Sequence, residues 1–420
     1  MTLRQIYTPV GWGVAIFTRH NHRYLIITDG GMLNRGYTYY RSLQNFSVAT
    51  VINELFNSNT HKDWIVSHLD YDHYSLTGHY IVQNNVYIDR CYLPAVYAIP
   101  ECREALAYLL AFQKAILEVC SFPLRSGLET MIEAIGKRCR RKIGIGQGVR
   151  ISLLDLNNSE YFFIWPPMNI LKGIPNICYE LMERIKRLWR SVCKKQNKIK
   201  DTQCKRMLEE FKEEILEKIE MAFGDIIITE GYEIETQPSD AYERITSPRQ
   251  EPEPFMTTTS ERLLYVLTKS KDHVIEYHKI IRSYSNIVSL AYVLITNSPL
   301  KITAVLAGRT TRPEFFYFEK GENKAISVYL GDLEDTALDQ ALIYMLKNIP
   351  QARNPIILVA PHHGRSWSPE LTKVKAHLVY MSRTTPRLRS ERYSIYRYRK
   401  ISNSVIVSGY TKWLTLYVLK

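Results

Sequence analysis

Within "SHLDYDH", two histidines and two aspartates stand in six positions: His68, Asp70, Asp72 and His73. Imidazole nitrogens and carboxylate oxygens both ligate divalent zinc, manganese or iron. The preceding "WIV" is apolar and β-branched, as expected of a buried strand that runs out at the polar residues. Side chains two apart on a strand share a face, so His68, Asp70 and Asp72 converge if strand geometry persists. If the chain turns after Asp70, Asp72 and His73 address a second ion nearby. Six residues thus supply ligands for one or two metals.

Three other places carry the same signature of acids or histidines after an apolar run. In "LIITDGG", Asp29 follows four such residues and precedes two glycines, placed to support a metal ligand from behind. In "VYLGD", Asp332 is a candidate bridge between two ions, or else the cap of a helix starting in "DLEDTALDQAL". In "ILVAPHHG", His362 and His363 leave another apolar run side by side, a pairing that points to function rather than to packing.

The elements that must position these residues are legible as changes of period. "GVAIFTR" and "RYLIITDGG" are expected strands of a hairpin, "TVINELF" a short helix and "NNVYIDRCYLP" a further strand. From Glu101 to Val119 the apolar spacing turns helical. Residues 170–283 are charged and largely helical. Ile185, Leu188, Trp189 and Val192 form one apolar stripe there, and Met207, Leu208, Phe211, Ile215 and Ile219 another, as in a helical hairpin. Residues 235–259 are rich in Pro, Glu and Thr and suit an exposed loop, after which "SERLLYVLTKS" resumes a helix with Ser260 as its cap. After Asn286 strands return.

The expected organisation is therefore α/β, with residues 1–169 and 284–420 as two halves of one domain and 170–283 inserted between them. The composition is that of a folded protein, 45% hydrophobic and 23% charged. Lys and Arg number 55 against 42 Asp and Glu, a net charge of +13 that permits contact with an anionic partner. Seven cysteines without a CxxC pair argue against a cysteine zinc cluster or a disulfide framework and suit a reducing compartment. The opening residues lack the pattern of a signal peptide, and no run has the roughly 18 apolar residues of a membrane span. A cytoplasmic setting without membrane contact is the expectation.

In order and spacing these motifs resemble the metallo-β-lactamase superfamily, and most closely the hydrolase domain of the ComEC competence family, where the metal box takes the form HxDxDH. "VGWGVAIF", "LIITDGG", "SHLDYDH", "NIVSLAYVL", "VYLGD" and "APHHGRSWS" follow one another as that family's motifs do, over roughly residues 8–100, 148–168 and 284–383. The resemblance implies an αββα sandwich with one or two divalent ions, zinc or manganese, at one edge. It implies His68 and Asp70 on one ion, Asp72 and His73 on the other, Asp332 near both, and His363 with or without His362 completing the site. Asp72 and His363 are then the catalytic candidates, and Asp29, His362 and Arg383 the supporting or substrate-facing ones.

The chain departs from that family after "LVYMS", where a further histidine is expected and "RTTPRLRSERYSIYRYRK" stands instead. This tail interleaves Arg387, Arg389, Arg392, Arg397 and Arg399 with Tyr393, Tyr396 and Tyr398. Such a mixture suits a basic edge strand with its tyrosines on one face, or contact with a single nucleic-acid strand. The expected function is a metal-dependent hydrolase, foremost a phosphodiesterase or nuclease acting on DNA, RNA or a nucleotide through a metal-activated water. Hydrolysis of another ester or amide is the alternative. A further one is a catalytically decayed subunit that binds a partner, or itself, through 170–283.

Overall fold

A period of two sorts the strands into layers. In Tyr24–Asp29, Leu25 and Ile27 belong to one buried cluster and Ile26 to another, because successive side chains on a strand point to opposite faces. The computed structural model describes residues 2–8, 10, 13–20, 23–31, 48–59, 61–68, 71–119, 127–153, 159–167, 173–195, 201–228, 233–235, 271–296, 300–308, 312–320, 324–382, 395–402, 404–408 and 412–419.

The structure is mixed α/β with two sheets. The first runs, in spatial order, β13 (Glu314–Lys320), β12 (Leu300–Gly308), β18 (Lys412–Leu419), β1 (Thr2–Tyr7), β2 (Ala15–His20), β3 (Tyr24–Asp29), β4 (His61–Ile65), β5 (Ile88–Pro94), β6 (Cys139–Ile145) and β9 (Ile227–Ile228). It is antiparallel from β13 to β3 and parallel from β3 onward. The second runs β10 (Glu233–Glu235), β7 (Arg150–Leu153), β8 (Ser159–Trp165), β11 (Ala291–Thr296), β14 (Lys324–Tyr329), β15 (Ile357–Val359), β16 (Leu378–Met381) and β17 (Ser404–Val407). It too ends in a parallel stretch, from β14 to β17.

The helices are α1 (Val48–Ser58), α2 (Tyr71–Gln83), α3 (Pro100–Val119), α4 (Gly127–Arg138), α5 (Ile174–Lys195), α6 (Asp201–Phe223), α7 (Lys271–Val288) and α8 (Asp335–Asn348). One buried cluster joins helices α1 to α7 to the first sheet. A second lies between the sheets, and a third joins α8 to the second sheet. The described elements thus stack as helices, sheet, sheet, helix, and burial of both sheet faces accounts for the nearly unbroken apolar runs of β3, β11 and β15.

The inserted helices belong to this stack. The stripes Ile185–Leu188–Trp189–Val192 and Leu208–Ile215–Ile219 are buried in the same cluster as Leu106, Leu110 and Phe112 of α3. Arg103 to Glu220 at 2.8 Å and Lys114 to Glu214 at 2.6 Å pair α3 with α6 along its length. The segment around Ser260 lies outside the described residues.

The cysteines correct the expectation drawn from their spacing. Cys91–Cys139, Cys102–Cys178 and Cys193–Cys204 form disulfides. The partners lie 48, 76 and 11 residues apart and meet only through the pairing of β5 with β6, of α3 with α5 and of α5 with α6. Spacing along the chain does not encode that. The ground for expecting a reducing compartment is removed with it. Among the described residues no helix is long and apolar enough to cross a membrane.

Candidate metal centre

Four parallel strands end at the site. Beta-strand β3 ends in Asp29, β4 is followed by Ser67 and His68, β14 by Gly331 and Asp332, and β15 by His362 and His363. Strand geometry stops at Ile65, and α2 begins at Tyr71, so His73 comes from the first turns of a helix and not from a continued strand. Asp332 does not cap α8; Glu334 occupies that position, and it makes no side-chain capping bond.

His68, His73 and Asp332 come together from these exits. All three are buried, and one ligand atom from each lies within 4.8 Å of the others. Asp332 Oδ1 is 3.2 Å from His73 Nε2, and its Oδ2 is 3.6 Å from His68 Nε2 and 3.8 Å from His362 Nε2. The imidazole rings of His68 and His73 lie 4.0 Å apart between centres, and those of His73 and His363 5.4 Å. Apart from its ion pair with Asp332, buried Nε2 of His73 has no hydrogen-bond partner among the described residues. A cleft of imidazole nitrogens around one carboxylate suits a divalent cation of the zinc or manganese type.

Asp29 fixes the ligands from behind and is itself fully buried. Its Oδ1 accepts the Ser67 backbone N–H at 2.7 Å. Its Oδ2 accepts the Ser67 hydroxyl at 2.8 Å and the Tyr329 hydroxyl, and lies 2.9 Å from His73 Nδ1. This contact leaves His73 Nε2 to face the cleft, the arrangement by which a carboxylate sets the tautomer of a metal-ligating histidine. Ser67 Oγ also lies 3.0 Å from His68 Nδ1. Trp64 Nε1 donates to the Asp29 carbonyl at 2.8 Å, clamping the turn.

The backbone is held in uncommon conformations here. Asp29, His362 and His363 have φ of 57°, 45° and 54°, in the left-handed region that residues with a Cβ rarely adopt. Residues so held cluster at functional sites, where the surroundings over-determine them. The turn splays the two histidines. His362 Nδ1 bonds Glu334, which also accepts the Ser366 hydroxyl at 3.1 Å, while His363 turns inward beside His73.

Charge sharpens the picture. Burial alone would push His73 down, but the carboxylates of Asp332 and Asp29 hold it well above its ordinary value. Burial would raise Asp332, yet His73, His362 and His363 hold it well below the usual carboxylate range. For His362, burial is likewise outweighed by Asp332 and Glu334, and its value is raised.

Of the residues expected from sequence, His68, His73, Asp332, His362, His363 and Asp29 are brought together. His363 stands beside the three-residue set without belonging to it. Asp70, the Asp72 side chain, Arg383, Arg387, Arg389 and Tyr393 lie outside the described residues. Arg397 is half-buried in a helical turn over residues 395–398. Tyr398 is a correction: it is buried, donates its hydroxyl to the Ser366 carbonyl and packs on Trp367, so it offers no face to a base. Sequence reasoning misses Ser67, Tyr329 and Glu334; only their places one, three and two residues from His68 or Asp332 at a strand exit mark them.

A second buried acid is already fully partnered. Asp63, in the middle of β4, is contacted by Tyr24 at 2.5 Å, Tyr92 at 3.0 Å, Arg90 at 3.3 Å and His61 at 3.1 Å. Its charge is met by the Arg90 guanidinium. No family model, curated protein or solved structure matches the chain.

Proposed function

We propose that this chain is a metal-dependent hydrolase of metallo-β-lactamase type, acting on the phosphodiester of a nucleic acid or nucleotide. The observation that carries the reading is the convergence of His68 and His73 from the first half of the chain with Asp332 from the second, in one buried cluster. The stacking of helices, sheet, sheet and helix, with the cluster at the strand exits, supports it further.

His68, His73 and Asp332 would hold the ion, with Asp70 and Asp72 completing the set that the motif order implies. A divalent ion there supplies a nucleophile at neutral pH, by lowering the pKa of water from ~15.7 to about 7, and offsets charge on a phosphodiester. The chain's own residues do the positioning. Asp29 orients His73, Ser67 ties His68 to the same carboxylate, and Glu334 draws His362 to the rim, where its Nε2 can approach a substrate oxygen. The net charge of +13 favours an anionic substrate. A partner-binding role through 170–283 draws less support, because the apolar stripes of that segment are buried against α3.

Elemental analysis of the purified protein beside a His68→Ala/Asp332→Ala variant tests the reading. Stoichiometric zinc or manganese in the wild type, absent from the variant, together with metal-stimulated cleavage of a phosphodiester, is the expected result. A wild type that takes up neither metal on dialysis sinks the hydrolase.

A further inference from the structure

We propose that the outer face of β13, β12, β18 and β1 is a docking platform for single-stranded nucleic acid. In so far as it names the substrate of the metal centre, this deepens the phosphodiesterase reading; as a binding surface it stands on its own observations.

Register places one row of side chains across these strands. Tyr317 is opposite Thr303, Thr303 opposite Tyr417, Tyr417 opposite Arg4, and Arg4 opposite Arg19. Direct cross-strand partners share a face. The next row pairs Phe315 with Val305 and Val305 with Thr415, then reaches Ile6, which is buried under the helices. Among the described residues, the helical layer therefore covers one end of this face and leaves the other open. Phe315 and Tyr317 are 54% and 74% exposed, large values for aromatic side chains on a strand.

Their rings are nearly parallel, 10° apart in plane and 6.4 Å between centres. That spacing is wider than the roughly 3.4 Å between stacked bases along one strand of a duplex. Bases seated on the two rings would be unstacked from each other, as in a splayed single strand. Three strands away in the same row, the Arg4 guanidinium lies 5.5 Å from the centre of the Tyr417 ring, and its buried Nε has no hydrogen-bond partner among the described residues.

Charge selects the occupant. Lys301 and Arg312 are exposed at the margins of the face and half-buried Arg4 lies across it, while Arg19, next in the row, is buried. Glu314 has the opposite strand parity, with the inward Phe316 and Phe318. Glu319 is the acid at a register position of this face, opposite Lys301. A surface of aromatic rings and cations is what a strand of bases and phosphates requires, since every base has a π-face to stack and every phosphate a charge to meet. An apolar peptide would gain nothing from the cations. A second copy of the chain would set like charges against each other. Five inter-strand steps of about 4.8 Å separate β13 from β3, on the order of 24 Å, so only an oligonucleotide of several residues reaches both the rings and the metal centre.

The test is fluorescence anisotropy of a labelled oligothymidylate of about sixteen nucleotides, in chelator so that nothing is cleaved. Wild type is compared with Phe315→Ala/Tyr317→Ala, Phe315→Tyr and His68→Ala/Asp332→Ala. Wild type should bind, more weakly as salt rises and more tightly than it binds a duplex of equal length. Losing both rings should weaken binding by at least roughly tenfold. Phe315→Tyr and the metal-site variant should bind as wild type does. Equal binding by wild type and the ringless variant, or no binding by wild type, overturns the platform. So does a self-association in wild type that the ringless variant loses without a change in binding. Hydrolysis of a dinucleotide with metal added, with no gain from longer strands even in wild type, sinks the platform alone. Strand binding without hydrolysis of any phosphodiester sinks the phosphodiesterase reading and leaves the platform standing.

Discussion

The two strand pairs β3–β4 and β14–β15 are one construction used twice. Each is a parallel pair from which an aspartate leaves the first strand and a histidine the second: Asp29 and His68 in one sheet, Asp332 and His362–His363 in the other. Left-handed backbone marks both turns, at Asp29 in the first and at Gly331, His362 and His363 in the second. The two carboxylates nevertheless have opposite tasks. Those of Asp29 are engaged by Ser67, Tyr329 and His73 and face no opening. Those of Asp332 face the imidazoles of His68, His73 and His362 among the described residues. Donors bound to a carboxylate decide whether it supports a ligand or becomes one. Identical local folds thus yield an orienting acid and a coordinating acid.

The largest effect should separate them. Asp332→Asn keeps the side-chain shape but removes the shared anion. Its metal affinity should fall beyond the roughly 10–100-fold seen when a supporting residue is lost. Asp29→Asn, which tolerates the positive φ, should stay within that range. Equilibrium metal titration of the two proteins decides the point; equal losses would break the distinction.

A smaller effect isolates the support. Tyr329→Phe removes one hydrogen bond to a buried carboxylate and leaves the ring in place. It should lower stability by about 1.5–3 kcal/mol, measured by urea unfolding of the metal-free protein, and change metal affinity less than Asp29→Asn does.

The smallest is a pH dependence. In the metal-free protein His73 titrates above its ordinary value of 6.5. Its contribution to stability is whole below that value and is lost as pH rises through the raised one. Metal-free stability should therefore fall from neutral into alkaline buffer. The gain in Tm on adding zinc should widen over the same window, since the ion requires the neutral imidazole. Thermal scans with and without zinc, repeated on Asp332→Asn, give the comparison; an increment that does not vary with pH would contradict it.

Much of the centre was legible because His68, Asp332 and the His362–His363 pair each follow closely on an apolar run, while His73 showed only through its spacing from His68 in "SHLDYDH". Asp29 could be placed behind a ligand from "LIITDGG" alone. Ser67 and Tyr329 were hidden because serine and tyrosine inside apolar runs look like ordinary core. The strand "PEFFYFEK" was readable as a strand, but which of its aromatics face outward depends on pairing with β12, a register no local pattern states. The cysteine pairs were hidden for the same reason. Layers and strand exits are local properties of sequence; partners across a sheet or between helices are not.

The place of β18 has a consequence for when the molecule can assemble. It lies between β12 and β1, pairing Lys301–Gly308 on one side and Thr2–Tyr7 on the other. Until it is made, β12 and β13 have no route into the first sheet. At ~5–20 residues per second of synthesis, the opening strand waits on the order of tens of seconds for its neighbour. Through that interval β1 carries an open hydrogen-bonding edge. Chaperone demand during translation should therefore concentrate on β1 and on the β12–β13 ribbon, and both should become silent together when Lys412–Leu419 arrives.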